Sequence, residues 1–149
     1  MPDEKLFHVG VKALIENSKK QILLLHADVS THRKNTEPYW DIPGGRIKEG
    51  DSVLKTLGRE VEEETGIKKI SSVQFLTAVV SNHKIPISTT QMVGLLLMVY
   101  RIKIPEHSKV RISREHTAFQ WVSREEAAKR LGHKYPKKFT NALLTGAAW

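Results

Sequence analysis

The chain has 149 residues, 40% apolar and 27% charged, which is the balance of a folded globular domain rather than of a disordered segment. It contains no cysteine, which excludes disulfides, thiolate metal sites and a cysteine nucleophile. With 24 Lys and Arg against 16 Asp and Glu it carries a net charge of +8, and its length suits a single domain over residues 1–149.

Residues 6–16 alternate loosely and residues 21–27 form a short apolar run. The polar Asn17-Ser18-Lys19-Lys20 between them predicts a hairpin. Residues 28–39 form a polar, basic loop, long enough to be functional rather than merely connective. A short strand over 40–42 then leads into Pro43-Gly44-Gly45, read as a loop whose backbone comes close to a ligand. A helix opens near Ser52, with Asp51 or Ser52 as N-cap, and closes at Gly66. Val53, Leu54, Leu57 and Val61 give that helix an apolar stripe at helical spacing, expected to be core. Residues 73–80 and 92–104 read as strands, the second long and central, and residues 117–122 as another. Ser123-Arg124-Glu125-Glu126 is a capping box opening a helix that runs to Leu131 and is closed by Gly132. Pro136 suits the first turn of a last helix reaching toward Trp149. Strands on both sides of a central helix, with helices at the end, indicate an α/β sandwich on a mixed sheet.

The first twenty residues mix charge early and lack a signal peptide's apolar core. The longest apolar run, residues 93–100, is too short to span a bilayer. The expected location is the cytoplasm, with no membrane partner. The basic residues are scattered over His32-Arg33-Lys34, Lys68-Lys69, 109–114 and 134–138. Such a surface either binds nucleic acid or steers a small polyphosphate toward an acidic, metal-loaded cleft. With aromatics at 7% and no recognisable nucleic-acid module, steering is the better reading.

The chemistry concentrates in residues 45–67, GRIKEGDSVLKTLGREVEEETGI. Glu60, Glu63 and Glu64 fall at i, i+3 and i+4 and share one helix face, where like charges repel. A divalent cation offsets that repulsion, and hard carboxylate oxygens suit Mg²⁺ or Mn²⁺. Most Glu-rich helix faces are simply solvated, and the three acids alone do not decide between the readings. The surrounding spacing does. The segment resembles the Nudix box, Gly-x5-Glu-x7-Arg-Glu-apolar-x-Glu-Glu-x-Gly-apolar, with Gly45, Arg59, Glu60, Val61, Glu63, Glu64, Gly66 and Ile67 in register. Asp51 stands where the family has its first Glu. Trp40-Asp41-Ile42-Pro43-Gly44-Gly45 looks like the family's lead-in, and Glu115-His116 with Trp121-Val122 and Glu125-Glu126 like its ending.

The resemblance implies a Nudix-type α/β/α sandwich with a central mixed sheet and metal-dependent hydrolysis of a pyrophosphate linkage. Glu60, Glu63 and Glu64 would carry Mg²⁺ or Mn²⁺, helped by the backbone carbonyl of Gly44. Glu60, Arg59 and Glu63 would be the catalytic group, with Arg59 orienting Glu60 as base. Glu115 is the alternative base or extra ligand, against a surface acid paired with Arg114 or Lys109. Asp51 is expected to cap the helix or pair with Arg59. Arg33, Tyr39, Arg46, His83 and Glu115 are the candidate substrate contacts, with Lys48, His32 and Arg114 behind them. Trp40 is read equally as a stacking platform and as core, His8 and His26 as structural, and His107 and His133 carry no argument. The substrate class is a nucleoside diphosphate linked to another moiety, as in a nucleoside triphosphate or nucleotide sugar. The alternatives are an RNA 5′-pyrophosphohydrolase and a non-catalytic nucleotide-sensing module. Neither the proline nor the tyrosine that marks certain subfamilies is clear around Ser81-Asn82-His83-Lys84-Ile85. Homodimers are frequent in the family.

Overall fold

The structure is a computed structural model, and it describes residues 3–27, 37–146 and 149. A mixed sheet carries helices on both faces. Its strands are β1 (Phe7–Glu16), β2 (Ile22–Ala27), β3 (Tyr39–Asp41), β4 (Gly44–Arg46), β5 (Ser72–Val80), β6 (Ile85–Pro86), β7 (Met92–Lys103) and β8 (His116–Val122). The helices are α1 (Val53–Thr65), α2 (Arg124–Leu131) and α3 (Lys137–Thr145). The main strand order is β3-β2-β1-β7-β5, with β4 on β1, β6 on β7 and β8 on β2. β1 and β7 run parallel and the other pairs are antiparallel, as the expected mixed sheet requires.

Both faces of the central strands are covered, so they read as near-continuous apolar runs, and the two-residue period sorts their side chains. Val11, Ala13 and Ile15 of β1 and Leu23 and Leu25 of β2 join Leu57 and Val61 under α1. Leu14, Ile22, Leu24, Leu95, Leu97 and Val99 point the other way, onto Leu131, Tyr135, Phe139 and Leu143 of the α2–α3 layer. Ser52 caps α1 by accepting the Lys55 N–H, and Gly66 ends it in the left-handed region at φ 73°. No helix among the described residues is long and apolar enough to cross a membrane.

Several expectations change. The predicted hairpin turn forms, with the Asn17 side chain accepting from the Lys19 and Gln21 N–H groups, but β1 and β2 pair only at Glu16 and Ile22. The free edge of β1 is taken instead by the double glycine. Gly44, Gly45 and Arg46 are a strand, not a loop, and pair with Lys12, Val11 and Gly10. β6, two residues long, had no sequence signal. Leu54 belongs to the predicted stripe yet is 59% exposed, because it projects from the outer flank of α1. The capping box at Ser123 is half formed: Ser123 accepts the Glu126 N–H, while the Glu126 carboxylate turns forward to Arg130. Helix α3 runs toward the C-terminus as far as Thr145, where Gly146 turns left-handed.

Candidate active site

Three chain segments converge between β1 and the end of α1. The first is β4. At Gly44, with φ 154°, a Cβ would sit 2.1 Å from the Val11 carbonyl oxygen and 2.9 Å from Lys12 Cα. Only glycine lets the strand lie this close to β1. At Gly45 a Cβ would sit 2.5 Å from the Glu60 carboxyl carbon, so the Glu60 carboxylate rests directly on bare backbone.

The second segment is the acidic face of α1. Glu64, 4% exposed, accepts the Gly44 N–H at Oε1 (2.9 Å) and faces His116 Nε2 at Oε2 (3.4 Å). Burial pushes its carboxyl up to about 7, against the opposing pull of the Lys12 charge and the Gly44 N–H. Glu60 and Glu63 line a separate open cavity of about 720 Å³ with Arg46, Lys48 and Glu115, and among the described residues they are not part of the group of ligand atoms that gathers at Glu64. Arg59 is ion-paired with Asp51 and leans on Glu60 at 3.4 Å. Asp51 therefore takes one of its two expected places, and Ser52 takes the cap.

The third segment is the start of β8. Glu115 and His116 bring ligand atoms within 4.8 Å of one another and of Glu64. Among the described residues no ion pair joins Glu115 to Arg114 or Lys109; Glu115 lines the open cavity and also a second one of about 260 Å³. Burial and the nearby Lys12 charge depress His116 to about 4, so it is neutral at physiological pH, and its Nδ1 is buried without a partner.

The smaller cavity is lined by Glu64, Glu115 and His116 and by a buried ionic group. Asp41 Oδ2 accepts from Lys12 Nζ (3.1 Å) and Lys134 Nζ (2.7 Å), and Oδ1 from the Tyr135 hydroxyl (2.7 Å) and the Ile42 N–H (2.8 Å). Burial pushes the Asp41 carboxyl up, but the two ammonium groups overcome this and hold it well below the usual carboxylate range.

Of the remaining candidates, Tyr39, Arg46 and His83 line the smaller cavity. Tyr39 already stacks on His133 (5.3 Å between centroids), and His83 Nε2 meets His133 Nδ1 at 2.8 Å. Arg46 reaches His8 Nδ1 at 3.2 Å. His26 bonds Thr117 and sits edge-on to Trp40, over whose ring Arg130 also lies. Arg33, His32 and the rest of 28–36 lie outside the described residues.

The sequence alone gave no role to His116, Lys12, Asp41, Tyr135 or His133, and placed Lys134 only among the scattered basic residues that steer a polyphosphate. One signal was present for Lys12, a lone charge inside the apolar run Val11-Lys12-Ala13-Leu14-Ile15. A charge there has to find a buried partner.

The NUDIX domain family model matches residues 6–143. A MutT-like protein of Streptomyces ambofaciens is 34% identical over 104 residues, covering 70% of this chain and 60% of that protein. The mouse bis(5′-nucleosyl)-tetraphosphatase (asymmetrical) is 27% identical over 76% of this chain and 71% of its own length. The crystal structure of the MutT protein from Methanosarcina mazei Go1 superposes with a TM-score of 0.72 at 28% identity, covering 97% of this chain and 98% of that one. The chain spans between 24% and 60% of the length of the first curated relatives it matches. With the box in register, helices on both faces of a mixed sheet and a family match over nearly its whole length, the chain belongs to the Nudix family, whose members are pyrophosphohydrolases.

Proposed function

We propose that this chain hydrolyses a pyrophosphate linkage in a nucleoside diphosphate linked to another moiety, using Mg²⁺ or Mn²⁺. The observation that carries the reading is Glu64, a carboxylate buried beneath the Gly44–Gly45 strand within ligand distance of Glu115 and His116. An acid with so little exposure has no solvation to hold its charge, and a cation supplies what burial removes.

The donor set fits a hard divalent ion. Glu64, Glu115 and His116 converge, Glu60 and Glu63 line the adjoining cavity with Glu115, and no side chain on Gly44 or Gly45 intervenes. A bound ion would screen the phosphate oxygens and acidify a water. Glu60 is the proposed base, held by Arg59 on one side and by Gly45 on the other; Glu115, which lines both cavities, is the alternative. Arg46 and Lys48 face the acids and would neutralise phosphate charge, while Tyr39 and His83 would contact the far end of the substrate. Arg33, outside the described residues, is the remaining proposed substrate contact.

Similarity to a bis(5′-nucleosyl)-tetraphosphatase favours a nucleoside polyphosphate over a nucleotide sugar. The test is Glu64→Gln. Metal-dependent turnover should vanish while the circular dichroism spectrum stays native-like and unfolding stays cooperative. Full turnover in that variant would remove Glu64 from the metal site.

A further inference from the structure

The Asp41 group is not balanced. Two ammonium ions meet one carboxylate, and they meet it at the same oxygen, Oδ2; the other oxygen is occupied by neutral donors, the Tyr135 hydroxyl and the Ile42 N–H. Among the described residues Asp41 is the one carboxylate that either ammonium contacts. Lys12 and Lys134 are 6% and 8% exposed, so water does not make up the difference. Glu64 lies near enough for its charge to act on both lysines, but its two oxygens are turned to the Gly44 N–H and to His116, so at Asp41 itself two like charges share one buried carboxylate and leave positive charge that a second anion can meet.

The arrangement is also built to last. Lys12 sits in the middle of β1 with β4 on one side and β7 on the other. The Lys134 carbonyl accepts both the Ser81 hydroxyl (2.9 Å) and the Asn82 N–H (2.8 Å), which fixes the turn between α2 and α3. Both side chains line the cavity of about 260 Å³ that Glu64 and Glu115 line as well. One cavity thus has an acidic wall, suited to a metal, and a basic wall with charge to spare.

We propose that Lys12 and Lys134 form a phosphoryl-anion subsite, taking a phosphate group that continues the chain beyond the bond cleaved at the acidic wall. This deepens the hydrolase reading and rests on it for the substrate, but not for the anion. The ammonium groups are compact point charges with three donors each, suited to the several oxygens of a phosphate. A substrate with a neutral group at this position would leave the charge unmatched, so the subsite selects polyphosphates.

The test uses Lys134→Gln, because it removes the surplus charge while leaving Asp41 paired with Lys12 and Tyr135. Binding of inorganic pyrophosphate and of a nucleoside 5′-triphosphate is titrated calorimetrically to wild type and variant in chelator. Wild type should bind pyrophosphate, and the variant should bind it at least about tenfold more weakly. Equal weakening for the triphosphate assigns the site to a phosphate carried by substrate; weakening for pyrophosphate alone assigns it to a released anion. Binding within twofold of wild type for both ligands, or no pyrophosphate binding by wild type, overturns the subsite. Should Lys134→Gln fail to fold, Asp41→Asn provides the check. With both lysines unmatched, its melting temperature should rise more with added pyrophosphate than that of wild type, and an equal rise overturns the proposal. No metal or bond cleavage enters these titrations. An enzyme that turns over substrate yet ignores Lys134 keeps its hydrolase reading and loses the subsite, and one that binds the anion but cleaves nothing does the reverse.

Discussion

Glu64 and His116 hold a proton the opposite way round from free side chains. In the fold Glu64 titrates at about 7 and His116 at about 4, against ordinary values of 4.5 and 6.5. Between pH 4.5 and 6.5 each state therefore binds one proton on this pair, the native state on Glu64 and the unfolded chain on His116. Equal proton counts mean that the pair contributes almost no pH dependence to stability in metal-free protein. Glu64→Gln removes that compensation. His116, depressed in the fold, then binds fewer protons than in the unfolded chain, so stability rises as pH rises from 4 to 6.5 and is lost again as pH falls. The full span corresponds to about 3 kcal/mol. His116→Gln does the reverse. Glu64 alone binds an extra proton in the fold, and stability falls by about 3 kcal/mol as pH rises from 4.5 through 7. Urea denaturation in chelator, followed by tryptophan fluorescence at steps from pH 4.5 to 8, measures both slopes as differences from wild type, which cancels Asp41 and other shared groups. If both variants track wild type across this range, the buried, proton-swapped pair does not exist.

The two glycines of β4 should separate stability from activity. Gly44→Ala pushes a Cβ into the backbone of Val11 and Lys12 and should cost about 2 kcal/mol or more, read from chemical denaturation. In Gly45→Ala the nearest atoms the Cβ meets are the movable end of Glu60, so its melting temperature should stay near wild type while turnover falls. Asp51→Asn releases Arg59, and with it one of the supports of Glu60. The expected result is a lower kcat with little change in melting temperature, and an unchanged kcat would show that Arg59 does not orient Glu60. Leu57→Ala, at a position 1% exposed beneath β1 and β2, should destabilise by about 2–5 kcal/mol in urea without altering metal dependence.

The elements whose signals are local were legible in the sequence. Helix α1 announces itself through Ser52, its acidic face and Gly66, and the strands through runs of two-residue period. The same holds for the acids: Glu60, Glu63 and Glu64 share a face because helical geometry requires it, and Arg59 met Asp51 as expected. What stayed hidden depends on long-range pairing. Gly44 and Gly45 carry the composition of a turn, and only the free edge of β1 makes them a strand. Lys12, Asp41 and Lys134 are 29 and 93 residues apart along the chain, so nothing local shows that they share one oxygen. His116 follows a residue that drew notice, Glu115, yet its burial against Glu64 appears only once β8 is laid beside β2. Leu54 erred in the opposite sense, since a stripe drawn at helical spacing is wider than the face that the sheet covers.

The proposed cleavage of pyrophosphate linkages at this acidic cavity depends on a divalent metal. Its most direct test is product release from a panel of nucleoside triphosphates, ADP-ribose, nucleotide sugars, dinucleoside polyphosphates and 5′-triphosphorylated RNA, each with Mg²⁺, with Mn²⁺ and with chelator. The expected result is metal-dependent cleavage of at least one class, strongest among the nucleoside polyphosphates, and none in chelator. Nucleotide binding without cleavage of any member, in protein shown to be folded, would contradict it and make the chain a nucleotide-binding module.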